Sequence, residues 1–387
     1  MSTKKIAVIT GTRAEFGILT PLMTKIKGHN QFELLTIVSA MHLSPEFGYT
    51  IKEIEASGFE INKRVECILS SDSAVGVSKS IALALISFAE AFEELNPDLI
   101  VILGDRSEML AAATAATIAN IPIAHIHGGE TTEGAYDESL RHAITKMSYL
   151  HFASTEAYRK RIIQLGESPD RVYNVGAMGL DSIKDLELLD KEKFQKALNF
   201  ELGERNILVT YHPVTLEKDT ASSQFQTILD ALDELHDVKI IFTHANSDKD
   251  GRIINKMIED YCFKNSNKAI SYKSLGQLLY LSSLQHVDMV LGNSSSGILE
   301  VPFFNIPTIN IGDRQKGRIL PQSIINSNVN KSEILNAVDM ALSSKFRKDI
   351  SSQEQLYGDG NTSDKILNIL LNFKLKNLKK PFYDLKF

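Results

Sequence analysis

Short β-branched apolar runs alternate along the chain with stretches in which apolar residues recur every three or four positions. Lys4–Thr10 is the first run. It stops at Gly11, and Phe16, Leu19, Leu22, Met23 and Ile26 then fall on one helical face ending near Lys27. Phe32–Val38, Leu99–Leu103 and Ile121–Ile126 read as further strands. Between and after them come a long helical pattern over Ser78–Leu95, an alanine-rich helix over Ala111–Ile118, and a helix from about Tyr136. After Val172–Gly176 the alternation restarts, with strands expected at Asn206–Thr210, Val238–Thr243, Val287–Leu291 and Thr308–Ile311. Strand alternating with helix at this spacing predicts βαβ units and parallel sheets covered on both faces. The expected fold is therefore α/β, two doubly wound Rossmann-like domains facing a cleft. Residues 1–176 would form the N-terminal domain, 177–360 the C-terminal one, and 361–387 a final helix and tail packing back on the N-terminal domain.

In such sheets ligands sit at the carboxyl ends of the strands, and the polar motifs of this chain fall there. G-T-R-A-E-F-G (Gly11–Gly17) follows the first strand, G-D-R (Gly104–Arg106) follows Leu103, and H-I-H-G-G-E runs from His125 to Glu130. The second half offers Y-H-P (Tyr211–Pro213), H-A-N (His244–Asn246) and G-D-R-Q-K-G-R (Gly312–Arg318). The richest stretch is Leu291–Glu300, L-G-N-S-S-S-G-I-L-E, read as a strand, a small-residue turn and a helix start. Backbone N–H groups and hydroxyls of such a turn converge at the positive end of a helix, where a phosphate is stabilised without a dedicated cation. Glu300, one turn into that helix, would accept hydrogen bonds from an attached ribose.

Each motif also has a plainer reading. The serine turn is neither a P-loop nor G-x-G-x-x-G, and one serine could serve only as an N-cap. Arg13 could pair with Glu15. Asp105, taken by itself, reads as a cap for the next helix, and His125 as a satisfied core histidine. Asp137 and Glu138 suit a first helical turn whatever they do, and His212 could simply pack. His125 and His127 sit on one strand, but the rest of a transition-metal set is missing, so no metal site is expected.

Composition narrows the classes. At 387 residues, 43% hydrophobic and 23% charged, the chain has room for two cores of ordinary globular character. A net charge of −6 argues against a nucleic-acid surface but not against a nucleotide ligand. Cys67 and Cys262 form no C-x-x-C, so neither a disulfide framework nor a zinc knuckle is suggested. No secretory segment is read at the N-terminus, no apolar run reaches the length of a membrane span, and a cytoplasmic protein without membrane partners is expected. Arg13, His212, Arg318 and the 293–297 turn can meet negative charge, while the carboxylates and His127 can move protons. That combination suggests a diphosphate joined to a neutral sugar-like part.

Taken in order, G-T-R-A-E-F-G, G-D-R, H-I-H-G-G-E, D-E-S-L-R-H-A-I-T-K, H-P-V-T, G-N-S-S-S-G-I-L-E-V-P and N-I-G-D-R-Q-K-G-R resemble the hydrolysing UDP-N-acetylglucosamine 2-epimerase family of bacterial sialic and legionaminic acid synthesis. The resemblance runs from Lys5 to Tyr357–Asn361. It implies the glycosyltransferase-B fold, a UDP-sugar substrate, no cofactor, and a homodimer or homotetramer. It also implies anti elimination of UDP across C1–C2 of the sugar, followed by hydration of the 2-acetamidoglucal with the opposite C2 configuration. By the same resemblance Asp105, His127, Glu130, Asp137 and Arg141 form the catalytic set, with Asp105 and Asp137 in proton transfer. Arg13, His212, Ser294, Ser295 and Gly297 would contact the diphosphate and Arg318 the sugar and phosphates, with Glu300 at the ribose and the backbone near Ser274 and Leu275 at the uracil. Arg106, Asn246 and Asn293 would join in binding the UDP-sugar.

One departure stands out. Where many relatives carry glutamate in H-I-E-G-G-E or H-V-E-A-G, this chain has His127. The expectation is that His127 replaces the carboxylate as an acid/base or sugar-positioning group. UDP-N-acetylglucosamine is the expected substrate. H-I-H-G-G-E-T-T-E-G also resembles the branch associated with UDP-N,N′-diacetylbacillosamine, the alternative. A non-hydrolysing epimerase, a glycosyltransferase of the same fold and a silent nucleotide-sugar sensor are the rival readings.

Overall fold

In the computed structural model the residues described are 3–69, 73–131, 137–213, 220–245, 251–374 and 378–386. The chain forms two compact units, Met1–Ser182 together with Tyr357–Phe387, and Ile183–Leu356.

The first unit is built on a seven-stranded sheet among the described residues: β1 (Lys4–Thr10), β2 (Phe32–Ser39), β3 (Lys63–Val65), β4 (Leu99–Leu103), β5 (Ile123–Ile126), β6 (Leu150–Ala153) and β7 (Val172–Asn174). They lie in the order β3-β2-β1-β4-β5-β6-β7 and all pair parallel. Its helices are α1 (Arg13–Lys27), α2 (Ile51–Ala56), α3 (Ala74–Leu95), α4 (Ser107–Ile118), α5 (Asp137–Met147) and α6 (Glu156–Gln164). The period of two along β1 sorts its side chains. Ile6 and Val8 enter one core with Phe16, Leu19 and Leu22 of α1, while Ala7 and Ile9 enter another with Phe88 of α3 and Ala112 of α4. Both faces are therefore covered, as an all-apolar parallel strand requires.

The second unit repeats the plan. Its strands are β8 (Arg205–Thr210), β9 (Val238–Thr243), β10 (Ala269–Tyr272), β11 (Met289–Gly292), β12 (Thr308–Ile311) and β13 (Ile324–Ser327), ordered β10-β9-β8-β11-β12-β13, again parallel. Helices α7 (Asp181–Asp185) and α8 (Lys191–Leu198) lead in, and α9 (Ala221–Asp233), α10 (Gly251–Lys264), α11 (Gly276–Ser283), α12 (Ser296–Leu299), α13 (Lys331–Leu342) and α14 (Ser344–Ser351) follow. Then α15 (Thr362–Asn372) adds Ile366 and Leu370 to the α1 core of the first unit. Strand order reverses beside β1 and β4 in one unit and beside β8 and β11 in the other. These are the switch points where doubly wound sheets bind ligands.

Two expectations need correction. The helix after the serine turn is a single turn, Ser296–Leu299, and Glu300 is its C-cap with a 3-10 turn at Val301–Phe304 beyond. Pro302 has no N–H to continue an α-helical ladder, so a full-length helix dipole is not available there. The expectation that no stretch suits a membrane also fails on composition. Lys79 and Glu90 interrupt any continuous run, yet the 22-residue α3 reaches a mean hydropathy of 1.5 in an 18-residue window, long and apolar enough to cross one. Only 28% of that window is buried within the protein.

Candidate active site

Glu15 sets the first loop. Thr12 caps α1, and the carboxyl of Glu15 turns back to accept the N–H groups of Gly11 and Thr12 at 2.8 and 3.1 Å, a complete capping box. Glu15 is thus not the partner of Arg13, which lies exposed and pairs with Glu53 at 2.9 Å. Burial and the neighbouring Glu108 raise the Glu15 carboxyl to about 7. Arg106 offsets this pair, 2.6 Å from Glu108 and 3.9 Å from Glu15.

Asp105 does not cap the next helix. The residue at that position is Arg106, whose guanidinium has no acceptor for the helix N–H groups, and Asp105 is engaged elsewhere. It forms a salt bridge with Arg141 of α5. The buried Arg141 guanidinium is a hub: it also donates to the His127 carbonyl at 3.0 Å and lies 3.7 Å from Glu130. One side chain from α5 therefore ties the loop after β4 to the loop after β5. Asp137, at the start of α5, joins the group. Burial and then Asp105 raise its carboxyl above the usual range, against Arg106 and Arg141.

His127 lies beyond the strand rather than on it. It adopts a left-handed conformation with φ of 63°, one residue past the end of β5. Its Nε2 accepts the Met178 N–H at 3.1 Å, which puts the neutral ring's proton on Nδ1, 3.5 Å from Glu130. Glu130 is buried and accepts the Ser154 hydroxyl at 2.7 Å. Gly129 between them has φ of 75°, and a Cβ there would meet the Tyr158 carbonyl at 2.6 Å, so the turn requires glycine. His125 is a core histidine, bonded to the Gly104 carbonyl at 2.7 Å and to Thr145 at 3.1 Å, and burial lowers it to about 3.

In the second unit the loops after β8 and β11 interlock. The His212 N–H donates to Asn293 Oδ1 and Asn293 Nδ2 donates to the His212 carbonyl, both at 2.8 Å. Gly292 has φ of 143°, and a Cβ would sit 1.9 Å from the Thr210 carbonyl, so no other residue fits. Burial and then Arg314 lower His212 to about 4, so its imidazole is neutral near pH 7. Ser294 accepts the Ser296 N–H at 3.4 Å, Ser295 is the N-cap of α12 without a side-chain cap bond, and Gly297 packs against Thr308.

The arginine that joins this turn is Arg314, donating to the Asn293 carbonyl at 3.0 Å beside Gln315 at 2.8 Å. Arg318, four residues on, makes a backbone bond to Gln315 instead. Both lie in G-D-R-Q-K-G-R, and nothing in that motif ranks one above the other. Ser274 is exposed and accepts the Gly276 N–H at 3.1 Å; Leu275 is the buried N-cap of α11. Asn246 lies outside the described residues.

Each unit thus presents a cluster at its switch point, built from ion pairs in the first and mostly from neutral groups, with Arg314 as the cation, in the second. The model of the UDP-N-acetylglucosamine 2-epimerase family matches residues 24–371. The chain belongs to that family. It is 43% identical, over the whole of both chains, to the hydrolysing GDP/UDP-N,N′-diacetylbacillosamine 2-epimerase of Campylobacter jejuni. It is 36% identical to the hydrolysing UDP-N,N′-diacetylbacillosamine 2-epimerase of Legionella pneumophila, over 96% of this chain and 97% of that one. Among solved structures, the Neisseria meningitidis UDP-GlcNAc 2-epimerase bound to UDP-GlcNAc superposes with a TM-score of 0.81 at 18% identity, covering 95% of this chain and all of that one. That likeness is one of fold, two Rossmann-like units of the glycosyltransferase-B type.

Proposed function

We propose that this chain is a hydrolysing 2-epimerase acting on UDP-N,N′-diacetylbacillosamine. The Asp105–Asp137 pair supports the chemistry. Two carboxyl groups whose environments differ, one salt-bridged to Arg141 and one raised by burial, suit a reaction that takes a proton from carbon and returns one. A carboxylate takes the C2 proton; the electron pair of the broken C2–H bond forms the C1–C2 double bond as the bond from C1 to the diphosphate oxygen breaks and UDP leaves with the pair of that C1–O bond. Water then adds its oxygen at C1, and a proton reaches C2 on the opposite face, giving the free 2-epimerised sugar. The first unit's cluster supplies this proton chemistry. The second unit's turn, with His212, Asn293, Ser294, Ser295 and Gly297, takes the diphosphate through neutral donors, and Glu300 takes the ribose.

The sugar is inferred from the 43% identity, unbroken over 387 residues, to an enzyme named for diacetylbacillosamine. His127 supports the same reading, a histidine where H-I-E-G-G-E relatives carry glutamate. UDP-N-acetylglucosamine, the expectation from family size, is the second reading.

A proton NMR time course in D2O with each of the two UDP-sugars, and with the GDP-linked diacetylbacillosamine, tests this. Free sugar with deuterium at C2 together with UDP is the expected product, formed fastest from UDP-N,N′-diacetylbacillosamine. Release without exchange at C2 would mean simple hydrolysis, and faster turnover of UDP-N-acetylglucosamine would reassign the substrate.

A further inference from the structure

The phosphate turn is tied to a residue that no motif singled out. Tyr280, on α11, has its hydroxyl hydrogen-bonded to Oγ of Ser296 in the first turn of α12. The Ser296 hydroxyl also lies within hydrogen-bonding reach of the Glu300 carboxyl, and the Glu300 N–H donates to the Ser296 carbonyl at 2.9 Å. A serine hydroxyl has one proton. If it goes to the carboxylate, the Tyr280 hydroxyl must donate to Ser296, and the three groups form a directed chain from phenol to carboxylate. Such chains polarise each successive bond.

The setting keeps the chain oriented. Burial, and then Glu300, push the Tyr280 phenol far above its ordinary value, so it remains a donor. Burial raises the Glu300 carboxyl, and the Ser296 bond opposes that rise by favouring the ionised form. An ionised carboxylate offers about four lone-pair sites on two oxygens, more than the single serine bond uses, and both hydroxyls of a ribose are donors.

We propose that Tyr280, through Ser296, orients Glu300 for the two ribose hydroxyls of the bound nucleotide, making Tyr280 a positioning residue for nucleotide recognition. This rests on the reading that Glu300 meets the ribose.

The test compares UDP with 2′,3′-dideoxyuridine 5′-diphosphate by titration calorimetry on the full chain. Wild type should bind UDP more tightly, and Glu300→Gln should narrow that preference. In Tyr280→Phe, UDP binding should weaken about tenfold while the dideoxy analogue is unchanged, as expected for one lost buried hydrogen bond. Ser296→Ala should do the same, and the double variant should lose little more, because both break one relay. A phenylalanine that weakens both nucleotides equally, or neither, overturns the proposal while leaving the ribose reading intact. A wild type that does not discriminate between the nucleotides removes the ribose reading and the proposal together. If Tyr280→Phe proves unfolded by circular dichroism, Ser296→Ala decides on the same comparison.

Discussion

The two units share a strand order over six strands, the first adding a seventh at one edge, yet their switch-point loops hold together in opposite ways. In the first, charge does it: Arg141 ties Asp105, Glu130 and the His127 carbonyl, and Arg106 offsets Glu15 and Glu108. In the second, amide hydrogen bonds do most of it: Asn293 and His212 exchange two, and Gln315 closes on the Asn293 carbonyl beside a single cation, Arg314. The difference follows from the tasks proposed for them. Proton transfer needs titratable groups whose pKa values are pushed apart by burial and neighbours. Holding a diphosphate needs fixed donors whose strength does not change as protons move.

Substitutions on the charged side should strike turnover. Asp137→Asn is expected to lower kcat about a thousandfold or more, with UDP affinity within about twofold, because it removes a proton carrier and no diphosphate contact. Steady-state kinetics beside calorimetry would check both halves, and a parallel loss of UDP binding would break the division of labour. His127→Ala should abolish most turnover, about a hundredfold or more, while UDP still binds, since the ring joins the Met178 N–H to Glu130. Near-normal turnover would remove His127 from the mechanism.

On the neutral side the effect should appear in binding. Asn293→Ala removes the two hydrogen bonds that Asn293 makes with the His212 backbone and should weaken UDP binding about tenfold, with a stability loss of about 1–3 kcal/mol. If kcat fell and affinity did not, the neutral turn would belong to the chemistry instead.

The smallest effect on turnover is expected from the pH dependence of the first loop. The Glu15 carboxyl is raised from 4.5 to about 7 by burial and Glu108. Its protonated form is therefore favoured by folding. The associated stability is fully present below 4.5 and is lost as pH rises toward 7. Glu15→Gln, which mimics the protonated form, should flatten the denaturation midpoint across that window. An unchanged slope would mean that another group sets it.

Much of this was written in local pattern. The run Lys4–Thr10 predicts β1 because a parallel strand covered on both faces must be apolar where it is buried, as Ile6–Ile9 is, and G-T-R-A-E-F-G contains its own capping box at Thr12 and Glu15. Short or mixed strands escaped that reading. Lys63–Val65, Ala269–Tyr272 and Ile324–Ser327 are three or four residues long, and their burial comes from neighbours in the sheet.

The sequence by itself determined the alternation of strand and helix, and with it the edge of each sheet where chemistry gathers. It also determined which residue types stand at that edge. Only the tertiary structure decided their partners. Asp105 bonds Arg141, 36 residues away, rather than capping α4; Arg13 finds Glu53; Arg314, not Arg318, reaches the serine turn; Tyr280 of α11 meets Ser296 of α12. The physical reason is the range of the forces. Helical and strand periodicity is set over a few residues by backbone geometry, whereas a hydrogen bond or ion pair is satisfied by whatever group the packing of distant elements brings within about 3 Å.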